Sequence, residues 1–195
     1  MKRSAAPRLA PLPVREWSED ARAMMRGHVK SADRYLSGAP DAPPMPGILG
    51  VLAHHSELAG AWLAYNGLLL EHPTIDPGDR ELVILRVAWR TESEYEWAQH
   101  VRIATGLGLT AEQLEAVRDG PRAPVWSPRQ RALLAMTDQL LESHRVDDAT
   151  WAQLELDFDS RQLIELLFVA GSYLCLAMVF NSVALQPDPE QEERP

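Results

Sequence analysis

Read for its alternation of apolar and polar positions, the chain shows helical periods and no run of period two between hairpin turns. The pattern predicts an all-α protein of about eight helices. Glu16 to Leu36 reads as a weakly patterned helical stretch, and the proline-rich "SGAPDAPPMPG" after it is a connection that cannot be helical throughout. Beyond Ile48 the chain becomes helical throughout. A short helix to about His55 precedes a second one starting near Ser56. Asp76 with Pro77 has the composition of a helix start, as has Ser127 with Pro128. Thr110 with Gln113 and Asp159 with Gln162 mark two further starts, and Asp148 caps "ATWAQLELDF".

"TESEYEWAQHVRIATGLGL" reads as one helix, opened by Thr91 with Glu94 and stopped near Gly106 and Gly108. Its inner stripe is expected to hold His100, Ile103, Ala104 and Leu107, and one turn back the stripe reaches Glu96, then Ser93. A soluble helix that turns a carboxylate and an imidazole inward needs a reason, because burying unpaired charge is costly. Residues four apart are neighbours on a helix, so Glu96 is expected to pair with His100 and hold its ring. Glu81 shares a face with Ile84, Leu85 and Ala88. An arginine such as Arg86 would satisfy it. A buried Glu–His pair that only fixes packing is the competing reading.

Composition narrows the function. The 195 residues suffice for one domain with its own core, expected over residues 16–186 between an extended arm (1–15) and a disordered tail (187–195). The net charge of -9 comes without a basic stripe, which argues against nucleic acid or an anionic membrane as partner. Leu163 to Leu185 is apolar enough to resemble a membrane span, but Glu165, Ser172, Asn181 and Ser182 within it favour a core helix. The proline-broken N-terminus lacks the apolar run of a signal peptide, so a cytoplasmic location is expected. The single Cys175 excludes an intramolecular disulfide and any CxxC site, and its apolar run predicts a buried, inert thiol. No HExxH pattern or paired ligand spacing suggests a metal site. His54 and His55 point to different sides of their helix and suit its end. Tyr173 and Asn181 in the last helix are candidates for polar groups facing a cavity.

The stretch "DRELVILRVAWRTESEYEWAQHVRIATGLGL" closely resembles the central motif of the carboxymuconolactone decarboxylase family, which also contains the alkylhydroperoxidase D-like proteins. The resemblance runs from about Leu9 to Gln186 and implies a compact, oligomeric all-α fold, usually a trimer or hexamer. The family's hydroperoxidase branch carries a Glu, a CxxC beginning twelve residues on, and a His four residues after the second Cys. Glu81 and His100 match the ends of that motif, with Ser93 and Glu96 at the two cysteine positions. Without the cysteines a thiol peroxidase mechanism has neither its attacking nor its resolving group. The resemblance therefore implies the decarboxylase-type branch: a lyase or isomerase of small carboxylated lactones or related enolisable acids, without cofactor. His100 would be the proton donor or oxyanion partner, Glu96 would orient and charge the ring, and Glu81 would hold the second helix in register. Ser93 and Tyr95 would be substrate contacts, with Tyr173 and Asn181 beside them. The rival classes are a small-molecule-binding oligomer without turnover and a redox protein.

Overall fold

The computed structural model describes residues 6–30, 32–37, 39 and 42–188, and these form ten α-helices with no strand among them. Residues 1–5 of the expected arm and 189–195 of the expected tail lie outside that set. Packing divides the span expected as a single domain, residues 16–186, into two compact units. One comprises Pro73–Asn181, and the other comprises the chain up to His72 with the segment from Ser182 onward.

The unit that ends at His72 holds α1 (Glu19–His28), α2 (Ala32–Leu36), α3 (Gly47–Leu52) and α4 (Ser56–Glu71). Ser18 caps α1 by accepting from the Ala21 amide, and Ala21 and Met25 on its inner face are fully buried. Trp17, Leu36 and Leu49 pack with them, and α1 lies against α4. The described part of the arm is bound rather than free. Leu12 donates its amide to Gly50 O at 3.0 Å, and the Trp17 indole donates to Leu12 O at 2.9 Å. Both adjacent histidines act at a helix end: His55 Nδ1 accepts from the Leu58 amide, and His54 Nε2 lies 3.0 Å from Ala10 O.

The Pro73–Asn181 unit is built around α5 (Pro77–Arg90), in which every residue from Asp79 to Ala88 is buried. α6 (Glu94–Gly106), α7 (Ala111–Asp119) and α8 (Pro128–Ser143) pack directly on it. α9 (Asp148–Leu154) lies on α8, and α10 (Ser160–Val183) closes the unit. Leu82, Leu85, Val117, Trp126 and Leu134 form the centre of its core. The starts at Asp76, Thr110 and Ser127 follow the sequence signals, the last two with complete capping boxes. The α9 cap is Asp147, one residue before the expected Asp148, because Asp147 Oδ1 takes the Thr150 amide at 2.7 Å.

Several charged groups on α5 are neutralised inside this unit. Arg86 makes two 2.7 Å bonds to Asp138 and donates to Val117 O at 2.6 Å, so it is not the partner of Glu81. Gly120, with φ at +66°, sits so close to Arg86 that a Cβ there would meet its guanidinium at 2.5 Å. Among the described residues α10 is the one helix long and apolar enough to cross a membrane, and half of its most apolar window is packed inside the protein. Its polar residues are anchors. Glu165 accepts from the Thr74 amide at 2.9 and 3.0 Å, and Gln162 donates to Thr74 O at 2.8 Å. The opposite face is open: Ile164, Phe168, Met178 and Cys175 are exposed. The expectation of a buried thiol is therefore incorrect, because Cys175 falls on the outward stripe of a half-buried helix.

Candidate active site

The junction between α5 and α6 determines the site. α5 ends with Glu92 at φ +54°, the Glu92 amide bonding Trp89 O and the Ser93 amide bonding Ala88 O at 2.9 Å. This is the Schellman ending, in which one left-handed residue lets two amides turn back onto the last helical carbonyls. Thr91 belongs to that ending, its Oγ1 donating to Val87 O at 2.8 Å, so it does not open α6 as expected. Ser93 becomes the N-cap of α6 directly after closing α5.

That double duty has a chemical result. Ser93-x-x-Glu96 has the capping-box spacing, and the same spacing closes reciprocally at Thr110/Gln113 and Ser127/Gln130. At Ser93 the backbone amide that Glu96 would reach back to is already taken by Ala88. Its ψ of 92° also departs from the 159° and 161° of the two closed boxes. Ser93 Oγ and both oxygens of Glu96 are consequently buried without a hydrogen-bond partner. Burial pushes the Glu96 carboxyl up to about 8, and the Ser93 hydroxyl beside it offsets this only in part. Glu96 is thus mainly a neutral acid at pH 7.

His100 has a different partner from the one expected. Its Nδ1 lies 2.6 Å from Glu81 Oε2 across the α5–α6 interface, and Arg80 holds the other Glu81 oxygen at 3.3 Å. A carboxylate only accepts, so Nδ1 carries the proton and Nε2 is the nitrogen left for chemistry. The expected partner of the ring is therefore replaced: Glu81, not Glu96, orients the imidazole, and Glu96, one turn away on the same face, stands alone. The imidazole keeps 11% of its side-chain surface exposed, against 1% for Glu81. Tyr173 from α10 sets its ring edge-on to His100 with centroids 4.9 Å apart. Burial, reinforced by the Glu81 charge, raises the Tyr173 phenol, which stays neutral.

Glu81, Glu96, His100, Ser93 and Tyr173 are all buried in this region. Tyr95 is buried too, with its ring 5.0 Å from that of Phe180. Asn181 does not join this buried set. It is exposed, and its Nδ2 donates to Thr91 O at 2.7 Å, tying α10 to the junction. Ile103 and Leu107, expected on the inner stripe, are 45% and 46% exposed, so the buried face of α6 is narrower and more polar than its apolar spacing implied. Arg80, absent from the expected set, could have been suspected from its position beside Glu81 in the first turns of an apolar helix. Among the described residues no cluster of three or more His, Cys, Asp or Glu side chains could hold a metal ion.

The helices have the alkylhydroperoxidase D-like fold, and the site within them carries a buried acid beside an imidazole oriented by a second carboxylate. Residues 56–139, the stretch that holds Glu81, Glu96 and His100, match the model of the carboxymuconolactone decarboxylase family. No curated protein matches the sequence. Solved structures share the fold. The alkylhydroperoxidase AhpD core of an uncharacterised peroxidase-related protein from Ralstonia eutropha JMP134 aligns with a TM-score of 0.74 at 18% identity, covering 94% of each chain. An uncharacterised peroxidase-related protein from Silicibacter sp. TM1040 aligns at 0.74 with 19% identity, covering 96% of this chain and 95% of the other. A variant of the debrominase Bmp8 in complex with 2,3,4-tribromopyrrole aligns at 0.71 with 14% identity, covering 92% and 91%.

Proposed function

We propose that this protein is a cofactor-independent lyase or isomerase of small carboxylated lactones or related enolisable acids, working by acid–base chemistry. The observation that carries the reading is Glu96: a buried carboxyl group held neutral near pH 7, with no bond of its own, one turn from an imidazole oriented by a separate carboxylate. Two carboxyl groups with environments this different suit different roles. In a decarboxylation the substrate's C–C bond breaks, carbon dioxide leaves, and the electron pair becomes an extended enolate. The imidazole of His100 then delivers a proton from Nε2 to carbon and is reprotonated by solvent, while the neutral Glu96 carboxyl beside it keeps its proton and donates a hydrogen bond to the enolate. Nε2 of His100, with Glu81 behind it, accepts or supplies the proton that an isomerisation would shuttle. A thiol peroxidase reading has less to stand on, because Ser93 and Glu96 occupy the cysteine positions and Cys175 lies on the outer stripe of α10.

The test is turnover of a panel of γ-carboxylated butenolides, followed by loss of ultraviolet absorbance. The parent is expected to release carbon dioxide from at least one. Glu96→Gln or His100→Ala should lower kcat by about 10²–10⁴-fold while the protein stays folded. Activity in the parent should fall as pH rises through about 8, where Glu96 loses its proton. Turnover left unchanged in both variants would contradict the reading. A folded parent inert to the whole panel would favour the binding-protein alternative.

We also propose that copies of the chain associate, as a trimer or hexamer, through the outer stripe of α10. Ile164, Phe168 and Met178 are 55%, 53% and 57% exposed on it, and such apolar stripes favour contact with another protein surface. Light scattering should report an oligomer that Met178→Glu weakens. A monomeric parent at micromolar concentration would rule this out.

A further inference from the structure

The unclosed capping box at the head of α6 leaves two buried side chains whose hydrogen-bonding capacity nothing in the fold uses. Ser93 Oγ is on a residue with 0% exposure and the Glu96 carboxyl on one with 2%, and neither has a partner. Buried polar groups in a folded protein are nearly always bonded, so two adjacent orphans require an explanation. Here the reason is local and structural: the α5 ending takes the Ser93 amide, and the box cannot form. What remains is a hydroxyl and a neutral carboxyl group, both able to donate, at the positive end of a 13-residue helix that takes no side-chain cap.

We propose that this pair is an oxyanion subsite: the Ser93 hydroxyl and the Glu96 carboxyl group, backed by the α6 dipole, hold the enolate oxygen of a conjugated lactone or acid. The inference rests on the acid–base reading above and specifies which end of the substrate goes where. Helix N-termini favour anions, and donors aimed at developing charge in a low-dielectric site stabilise a transition state more than they would in water. A neutral carboxylic acid can donate one hydrogen bond to an oxyanion, and an ionised one would repel it. The enolate oxygen is the better occupant than the substrate's own carboxylate. Stabilising the carboxylate would hold back its departure, whereas stabilising the enolate favours the state after carbon dioxide leaves. His100, one turn further along the same face, is less deeply buried than Glu96 and would meet the bound ring from nearer the solvent.

The charged and titratable groups around Glu96 are Glu81 and Arg80 from α5, His100 from α6 and Tyr173 from α10. The phenol senses Glu81, Arg80 and Glu96 together. Glu81 and Arg80 offset one another, so the pH response of anion binding should follow Glu96 itself.

Tetronate, the ring anion of a hydroxybutenolide and a mimic of the enolate, tests this without turnover. 2-Furoate is the carboxylate comparison. Calorimetric titration of the parent at pH 6.5 should show tetronate binding tighter than 2-furoate. Ser93→Ala should weaken tetronate by about 10-fold or more, the loss of one hydrogen bond to a charged group. Affinity in the parent should fall as pH rises through about 8, and Glu96→Gln, which keeps an amide donor and cannot ionise, should abolish that pH dependence. Equal tetronate affinity in parent and Ser93→Ala, both folded by circular dichroism, would overturn the proposal. So would a parent that binds neither anion. Tighter 2-furoate binding with the same Ser93 dependence would overturn the enolate assignment and place the substrate's carboxylate at the helix end. Tetronate binding with the expected signature supports the subsite even if no lactone is turned over, so this inference and the enzymatic reading fail separately.

Discussion

Glu96→Gln should melt higher than the parent, by a margin that grows between pH 5 and pH 8.5. The sign follows from the direction of the shift. The Glu96 carboxyl rises from 4.5 in the unfolded chain to about 8 in the folded one, so between those values the folded state holds a proton that the unfolded state has released. Folding stability attributable to this group is complete below about 4.5 and declines as pH rises toward about 8. One pKa unit corresponds to about 1.36 kcal/mol, so the ceiling on the loss is roughly 5 kcal/mol well above pH 8. Glutamine has the same shape and cannot ionise, so it avoids that loss but still buries an unpaired amide. The net gain expected near pH 8 is about 2–3 kcal/mol, with little difference at pH 4. Such a gain is the familiar trade between activity and stability: a group held at a cost to folding is one retained for chemistry. Urea unfolding at the two pH values measures it. A variant less stable than the parent at pH 8 would mean that Glu96 has a structural partner, and the site reading would fall.

Asp138→Ala should cost about 3–5 kcal/mol, the usual penalty for leaving a buried charge uncompensated. Arg86 lies inside the Pro73–Asn181 unit with 6% of its side chain exposed, and Asp138 grips it with two 2.7 Å bonds. The remaining Arg86 donors go to the carbonyls of Val117 and Arg118, at 2.6 and 3.1 Å, so one guanidinium ties α5, α7 and α8 together. Arg90 also reaches Asp138, at 2.6 Å, but it is more exposed and adds less. Removing the acid strands the guanidinium among apolar residues and the two carbonyls. Replacing both partners, Arg86→Met with Asp138→Leu, should recover much of the loss, because a buried ion pair and a well-packed apolar pair are often close in energy. A cost below about 1 kcal/mol for Asp138→Ala, read from urea unfolding, would show that this pair is not central to the core.

Much of the helical frame is legible in the sequence, because capping is local chemistry. Thr110 with Gln113, Ser127 with Pro128, and Asp76 with Pro77 place three helix starts where the structure has them. Misreadings arise where two local rules compete. Thr91-x-x-Glu94 and Ser93-x-x-Glu96 both have the capping spacing, and only the way α5 ends decides between them. That ending depends on Glu92 adopting a left-handed backbone, which glutamate does not advertise. Glu96 and His100 share a face as their spacing requires. Spacing along one helix says nothing of what the neighbouring helix presents, and Glu81 on α5 reaches the imidazole first. Ile103, Leu107 and Cys175 carry a similar lesson. Apolar character marks a position as able to be buried, while the number of helices available to cover it is a property of the whole chain.

The central claim is that Glu96 is a neutral carboxylic acid at physiological pH while Glu81 is the partner of His100. Infrared difference spectra of parent and Glu96→Gln, recorded from pH 5 to pH 10, address it directly, since a protonated carboxyl group has a carbonyl stretch that a carboxylate lacks. A protonated-acid band present in the parent, absent from the variant and lost with a midpoint near pH 8 is the predicted result. A band already gone at pH 6, or one that persists in Glu96→Gln, would contradict it.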